Sequence, residues 1–267
     1  MTYRHQMRSG WYVLAIVLLL AGIGSPSITN ANPLPRYEVF GAGPEDHWLF
    51  GVEMYLWGAS VGGETASGDD IDIGFDELVE DLKFGLMGTV AASRAQWTLF
   101  SDVIYLDVEE DIRQTVVLDD MSLRAAASID LKGFVSTTGG AVRVFENNHS
   151  RLNVMAGARY LWLDGTIDVD LESFPRVKIT DTGKFWDGIV GLRGKSDISP
   201  RWYLTYVADI GAGDSDFTWQ ALAALNYKCR RFDIVGGYRY LDWDFDNNRV
   251  FSDVNFSGVF AGIKLAF

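Results

Sequence analysis

The stretch from Arg231 to Phe267 contains two long runs of alternating side chains, and it constrains the fold more than any other feature. Apolar or aromatic side chains lie mainly at even positions from Phe232 to Tyr240, and at odd positions from Val259 to Phe267. A period of two residues is that of a β-strand with two different faces, because successive side chains point to opposite sides. The residues after Asp242 are acidic, so the pattern predicts an antiparallel hairpin with an acidic connection.

The chain begins with the features of a secretory signal peptide. Arg4, His5 and Arg8 precede an apolar run from residue 11 to residue 23, and small residues follow as far as Ala31. This order predicts a signal peptide over residues 1–31, cleaved near Ala31, and an exported mature chain. An uncleaved anchor is the alternative, but the run is shorter than the roughly 20 residues of a spanning helix. Residues 32–47 carry three prolines and are predicted to form a periplasmic lead-in.

The chain is acidic and contains a single cysteine. Lys and Arg number 23 and Asp and Glu 36, a formal net charge of −13, which becomes −15 once the two arginines of the predicted leader are removed. Such a charge disfavours nucleic acid as a partner. Cys229 alone excludes an internal disulfide framework. No feature of the sequence predicts a cofactor.

Beyond the leader no apolar stretch is long enough for a spanning helix, so a membrane-embedded chain would have to form a closed barrel, in which every backbone group is paired between strands. Four short polar turns, each followed by a bulky residue and an alternating run, lie near residues 93–96, 146–151, 196–201 and 228–231. Longer and mostly acidic connections separate them, at residues 109–121, 168–182, 213–216 and 242–253. Residues 65–82 are predicted to form an outer loop with one or two helical turns. This asymmetry is typical of outer-membrane barrels.

These patterns predict an all-β fold over residues 48–267, an antiparallel up-and-down transmembrane β-barrel of about ten strands. An even number of strands returns both termini to the periplasm. Twelve strands is the runner-up, because residues 123–145 are long enough for one bent strand or two short ones, and eight strands is a further alternative.

Parity assigns the two faces of the barrel wall, since residues two apart share a face. An inner aromatic girdle is predicted at Trp97, Trp202, Phe232 and Phe267, and an outer one at Tyr238 and Tyr240. If the girdle points to lipid, the charged side chains predicted to line the lumen are Glu53, Asp102, Arg159, Asp187, Arg193, Asp209, Asp233, Arg239 and Lys264. Isolated charges in a narrow interior are costly, so Arg–carboxylate pairs are expected there, although the sequence does not assign the partners.

Catalytic and metal-binding motifs are weak. Hydrolytic barrels of this size generally use a histidine near the outer rim, whereas His5, His47 and His149 lie in the leader, before the first strand and in a short turn. Asp242, Asp244 and Asp246 superficially resemble a calcium loop, but Asn247 occupies the position that needs glycine. A solvated loop entrance is the favoured interpretation of these acids, and a divalent ion bridging them to lipid phosphates is the alternative.

Several short motifs resemble a group of mostly uncharacterised proteobacterial outer-membrane β-barrel proteins of porin-like type. They are residues 236–242 (GGYRYLD), the ending 258–267 (GVFAGIKLAF), residues 55–57 (YLW) and residues 72–78 (DIGFDEL). The resemblance implies the outer membrane of a Gram-negative bacterium and a barrel architecture, and it implies no defined substrate.

The expected function is that of a non-enzymatic outer-membrane barrel with a charged, salt-bridged lumen, either a narrow pore or a structural envelope component. An enzyme acting on lipid or peptide through acidic residues at the outer rim is the alternative. The expected partners are outer-membrane lipid and lipopolysaccharide, and the barrel-assembly machinery through the strand that ends at Phe267. The oligomeric state stays open.

Overall fold

A computed structural model describes residues 47–65, 70–73, 82–118, 121–171, 177–245 and 251–267. Eleven strands lie in these ranges: β1 (Leu49–Thr65), β2 (Asp70–Ile73), β3 (Leu82–Arg94), β4 (Trp97–Leu118), β5 (Met121–Glu146), β6 (Ser150–Leu171), β7 (Val177–Asp197), β8 (Trp202–Gly213), β9 (Phe217–Lys228), β10 (Asp233–Asp244) and β11 (Phe251–Ala266). In the described part of the chain, no helix is long and apolar enough to cross a membrane.

The strands form a closed antiparallel barrel. Ten of them follow one another around the wall in chain order from β1 and β3 to β11, and β11 pairs with β1 to close the ring, while the short β2 adds to the upper part of β1. The closing seam runs from the pair Gly51–Ala266 to the pair Thr65–Phe251. The predicted all-β barrel of ten strands is therefore confirmed. β5 is one continuous strand with an irregularity between Arg143 and Phe145, which excludes the twelve-strand alternative.

One end of the barrel, which we call the turn end, carries the four short connections predicted from the sequence. Ala95 and Gln96 join β3 to β4, with Ala95 at a positive φ of 52°, and the other three connections are residues 147–149, 198–201 and 229–232. β1 starts and β11 finishes at this end, where the amide and carbonyl of Phe50 exchange hydrogen bonds of 2.9 Å with those of Phe267.

The opposite end, which we call the loop end, differs from the prediction. β4 to β7 have 21 to 26 residues whereas β8, β9 and β10 have 12, so four strands of the wall extend well beyond their neighbours. Most of residues 109–121 and part of residues 168–182, predicted as connections, belong to these strands. The prediction was wrong because a strand needs an apolar face only where it meets lipid or core, so beyond that zone backbone pairing continues through polar and acidic residues despite their lower strand preference.

Other predictions at the loop end are only partly covered. Within the predicted outer loop at residues 65–82, Asp70–Ile73 form a short strand; the part with helical spacing, from Phe75 towards Leu82, falls almost wholly outside the described residues. The rest of that loop, the predicted signal peptide at residues 1–31 and the lead-in as far as residue 46 lie outside the described residues.

The outer surface of the barrel wall is an apolar belt. Large hydrophobic side chains alternate with buried ones along the strands, and the exposed set includes Phe50, Met54, Leu56, Leu86, Val90, Leu99, Val190, Ile210, Leu225, Ile234 and Val259. A belt of this kind is far larger than the apolar patches that soluble monomers expose, and it fits contact with lipid.

Candidate functional site

The barrel interior holds the charged side chains that parity assigned to it. Arg159, Asp187, Asp209 and Arg239 are almost completely buried, and Glu53 and Arg193 are nearly so. Asp102, Asp233 and Lys264 are less buried but bond to other interior side chains. What these charges do for the protein stays a prediction, whereas their arrangement follows from their contacts.

An ion pair between β6 and β8 lies in the middle of the interior. Arg159 Nη2 donates to Asp209 Oδ1 at 2.5 Å, and neither side chain has any exposed surface. Two threonine hydroxyls accept from the same guanidinium, Thr137 Oγ1 from Nε at 3.3 Å and Thr218 Oγ1 from Nη1 at 3.0 Å. The guanidinium carbon also lies 5.8 Å from the centroid of the Trp243 ring. Each of the three guanidinium nitrogens therefore donates a hydrogen bond to an oxygen. A buried charge requires such partners.

A second ion pair crosses the lumen between β10 and β4. Arg239 Nη1 lies 2.7 Å from Asp102 Oδ2 and donates to the hydroxyl of Tyr55 at 2.9 Å. That hydroxyl in turn donates to Asp102 Oδ1 at 2.7 Å, and Thr89 donates to the same oxygen at 2.8 Å. The Arg239 guanidinium carbon lies 5.2 Å from the centroid of the Trp57 ring.

Gln220 on β9 joins the two pairs. Its amide nitrogen donates to Asp209 Oδ2 at 3.0 Å, and its amide oxygen accepts from Arg239 Nε at 2.9 Å. The result is one continuous network from Thr137 through both pairs to Thr89, and we call it the central network. It links strands on opposite sides of the barrel, so it spans the lumen.

The remaining predicted charges have other partners. Lys264 Nζ lies 3.1 Å from Glu53 Oε2, across the seam between β11 and β1. Asp187 Oδ1 accepts from the backbone amide of Ser215 at 2.9 Å and so holds the turn between β8 and β9. Arg193 lies with its guanidinium carbon 4.6 Å from the centroid of the Phe100 ring. The interior thus contains two Arg–carboxylate pairs and one Lys–carboxylate pair among the predicted residues.

Apolar side chains fill the interior on the loop-end side of the central network. Residues from nearly every strand contribute to this group, which we call the apolar cap: Trp57, Met87, Ile104, Val135, Leu161, Phe185, Leu241, Trp243, Phe245 and Val254. Leu161, Leu241 and Trp243 have no exposed surface, and the rings of Phe185 and Phe245 lie 4.5 Å apart. Sequence reasoning treated residues from Asp242 onward as a solvated acidic loop and missed this cap. The odd positions 241, 243 and 245 continue the inward face of β10 and were the available signal.

The acids next to the cap are not equivalent. Asp244 is exposed, but Asp242 is 8% exposed, and one of its carboxylate oxygens accepts from the Tyr240 hydroxyl at 3.1 Å. The expectation that Asp242 lies in solvent was therefore wrong, because Tyr240 covers it. Asp246 lies outside the described residues. Among the residues that the structure describes, no group of three or more His, Cys, Asp or Glu is arranged to hold a metal ion.

On the turn-end side of the central network the interior contains a cavity of about 90 Å³. Its charged lining consists of Glu53, Asp102, Arg193, Arg239 and Lys264. Apolar side chains also line it, among them Phe100, Met155, Val207, Leu222 and Phe260, together with hydroxyl groups of Tyr55, Thr89, Thr137 and Thr205. The interior is thus packed above the central network and partly open below it.

A further polar group lies nearer the turn end. Asp197 Oδ1 accepts from Lys195 Nζ at 3.0 Å and from Lys228 Nζ at 3.3 Å. Both ammonium groups lie over the ring of Tyr203, at 4.5 and 5.3 Å from its centroid, and the Tyr203 hydroxyl donates to Asp233 at 2.7 Å. Lys195 and Lys228 were not among the predicted lumen residues, although both follow the inward parity of their strands.

Aromatic side chains occupy both borders of the apolar belt. At the turn end, Trp97, Trp202 and Phe267 are exposed and Phe232 is half-buried. Towards the loop end, Phe134, Tyr160 and Trp186 form a ladder, Trp219 stacks on Tyr240 at 4.6 Å, and Tyr238 is exposed. From Phe232 to Tyr240 is about 26 Å along the strand, or about 20 Å along a barrel axis after allowing for strand tilt. That distance is somewhat shorter than the apolar band of about 25 Å that outer-membrane barrels present to lipid.

The two histidines of the described residues lie at the turn end. His149 is exposed in the turn between β5 and β6, and His47 precedes β1. Neither is at the loop end, where a hydrolytic barrel with a histidine at its outer rim would need one.

No protein-family model matches the sequence, and no curated protein sequence matches it. Among solved structures, the chain is similar to the outer membrane protease OmpT from Escherichia coli, with 11% identity, 84% of this chain and 97% of that chain covered, and a TM-score of 0.49. It is also similar to the translocator domain of the autotransporter NalP from Neisseria meningitidis, at 14% identity, 97% and 94% coverage and a TM-score of 0.41.

A third similar structure is Ail, the attachment invasion locus protein of Yersinia pestis, at 12% identity, 82% and 98% coverage and a TM-score of 0.35. These structural neighbours are outer-membrane β-barrel proteins. At such identities and scores the similarity identifies neither an activity nor a ligand for this chain.

Proposed function

We propose that this chain is a non-enzymatic β-barrel of the bacterial outer membrane, of the proteobacterial group that its motifs resemble, and that its lumen is closed. Of the two forms expected from the sequence, a narrow pore and a structural envelope component, we favour the second. The observation that carries this choice is that the central network spans the lumen and that the apolar cap fills the lumen directly above it.

Two physical barriers follow from that arrangement. A solute crossing the central network must displace at least one side of the buried Arg159–Asp209 pair, and uncoupling one partner of such a pair costs about 3–5 kcal/mol. It must then pass an apolar cap whose Leu161, Leu241 and Trp243 are fully buried, where a hydrated ion loses its water. Ten strands also lie near the size at which side chains fill a barrel, far below the roughly 16 of an open porin.

The position in the membrane is supported by the outer surface. The apolar belt fits lipid acyl chains, and the aromatic borders fit its two interfaces. The long acidic strands of β4 to β7 would then extend outward, next to lipopolysaccharide. The exposed ring of Phe267 on the last strand would be offered to the barrel-assembly machinery.

Conductance across a planar bilayer tests the closed lumen. The refolded wild-type protein is expected to be silent under conditions in which a porin of about 16 strands gives clear steps. The double variant Arg239→Ala with Trp243→Ala removes one large side chain from the central network and one from the apolar cap. It is expected to give small stepwise currents once its heat-modifiable gel migration shows that it has folded. Stepwise currents in the wild type that change with Arg159→Gln or Asp209→Asn would overturn the proposal in favour of a pore.

Location and the absence of catalysis are tested separately. Membrane fractionation is expected to place the folded protein with the outer membrane. The non-enzymatic assignment fails if the wild type turns over lipid or peptide and if Asp244→Asn with Asp253→Asn abolishes that turnover, since these two acids are cross-strand neighbours at the loop end.

A further inference from the structure

The cavity below the central network has the chemistry of a binding site. Three cations and two carboxylates line it, which gives a positive lining inside a chain of net charge −13. Both carboxylates are already engaged, Glu53 by Lys264 at 3.1 Å, and Asp102 by Arg239, Tyr55 and Thr89. The five charged side chains of the lining therefore sum to one positive charge, which favours an anion over a cation as occupant.

Two threonine hydroxyls add hydrogen-bond donors. Thr137 Oγ1 accepts from Arg159 at 3.3 Å, and Thr205 Oγ1 accepts from Asn226 at 3.0 Å. A hydroxyl that accepts on a lone pair keeps its own hydrogen to donate, and both threonines line the cavity. Donors and positive charge together select a ligand with acceptor oxygens and a negative charge.

The rest of the lining is apolar. Phe100, Met155, Val207, Leu222 and Phe260 cover much of the wall, so a fully hydrated inorganic ion would leave this surface without a partner. A volume of about 90 Å³ is large enough for several waters, or for one small organic molecule in their place.

The turn end is the nearer end of the barrel to this cavity. The central network and the apolar cap lie on the other side, whereas Lys264 lies two residues before the end of β11 and Thr205 three residues after the start of β8. Lys195, paired with Thr205 across β7 and β8, lies beside the approach from the turn end, where its ammonium group is bonded to Asp197 at 3.0 Å.

From these features we infer that the cavity binds a small organic monoanion, a carboxylate with a short apolar tail, entering from the turn end. The carboxylate is held by the cationic lining and by the Thr137 and Thr205 hydroxyls, and the tail lies against Phe100 and Leu222. The inference rests on the proposed closed lumen only because the central network and the apolar cap close the cavity on its loop-end side. Binding and conductance are separate measurements, so either can fail without the other.

Calorimetric titration of the refolded full chain in detergent micelles tests the inference, with formate, acetate, butyrate and neutral butanol as probes and micelles alone as the blank. Affinity is expected to rise from formate to butyrate, and butanol is expected not to bind. Equal affinity for formate and butyrate would overturn the apolar part of the site. The absence of saturable binding by every carboxylate would overturn the whole inference.

Two variants separate this cavity from any other carboxylate-binding surface. Thr205→Val removes one hydroxyl at nearly constant shape and is expected to weaken butyrate about two- to tenfold, the effect of one hydrogen bond. Val207→Phe fills the cavity without changing charge and is expected to abolish binding. Thr138→Val is the matched control, because Thr138 faces outward and bonds to Ser101. Folding of each variant is checked by heat-modifiable migration, and unchanged butyrate affinity in a folded Val207→Phe protein would refute the assignment.

Discussion

Breaking the ion pair between Arg159 and Asp209 should destabilise the barrel far more than breaking an ion pair at its surface. Asp209→Ala leaves the guanidinium buried with only the Thr137 and Thr218 hydroxyls as acceptors, and Arg159→Met leaves the carboxylate with only Gln220 as donor. Each change uncouples a charge whose side chain has no exposed surface. The expected loss of unfolding free energy is about 3–5 kcal/mol for either single variant.

The double variant sharpens this expectation. With both charges removed, no uncompensated ion remains, and the methionine and alanine side chains leave mainly a packing defect beside Thr137 and Thr218. The double variant should therefore lose about 2–4 kcal/mol, no more than one single variant. The coupling free energy from the double-mutant cycle is then about 3 kcal/mol or more.

Denaturant unfolding from phospholipid vesicles measures these values, with tryptophan fluorescence and gel migration as independent signals. The matched control is the pair of Arg151 and Glu146 at the turn end, 2.7 Å apart but with about a third of each side chain exposed. Such a pair contributes about 1 kcal/mol or less. If the Arg159 and Asp209 effects simply add, with a coupling below about 1 kcal/mol, the two charges do not depend on each other for burial and the central network is not a coupled unit.

Two further predictions concern the wall. Gly157→Ala should cost about 1–3 kcal/mol of unfolding free energy, because a Cβ there would collide with the Thr138 carbonyl and approach the Cα of Gly139 to 2.8 Å. The control is Gly236→Ala, whose Cβ would meet only the Phe260 carbonyl at 3.8 Å. Equal losses of unfolding free energy in the two variants would contradict the steric reason. Phe267→Ala should lower the amount of folded barrel in the membranes of expressing cells severalfold. Its free energy of unfolding after refolding in vitro should change by about 1 kcal/mol or less, since only a ring contact at 6.4 Å with Phe50 is lost. The control is Phe145→Ala, which removes another exposed aromatic at the turn end, and an equal fall in its yield would argue against recognition of Phe267.

The sequence predicted the barrel wall because lipid and core impose opposite chemistry on successive residues. Glu53 between Val52 and Met54, or Arg239 between Tyr238 and Tyr240, is a local signal that needs no knowledge of the rest of the chain. The four turns were equally visible, because short polar connections separate runs of constant parity. Once the wall is fixed, the inward direction of Arg159 and Asp209 follows from parity alone.

The partners of the interior charges were not predictable in this way. Which side chains meet across the lumen depends on the strand tilt and on the stagger accumulated around the ring, and no local pattern encodes either. Arg239 reaches Asp102 and Tyr55, which are far from it in the chain, and Gln220 was not distinguished from other inward polar residues. The extended parts of β4 to β7 were missed for a different reason: outside the lipid zone, neither face of a strand has to be apolar.

The seam between β1 and β11 has a consequence for how the chain folds. It joins Gly51 to Ala266, so the two strands that close the ring lie at opposite ends of the described sequence. Contacts of such long range form slowly, because the loop entropy must be overcome before any pairing energy is gained. The facing edges of β1 and β11 are unpaired and open to aggregation until the two strands meet. Pairing of β11 with β1 therefore depends on the rest of the wall already being in place, and closure of the ring is expected to be the last step of folding.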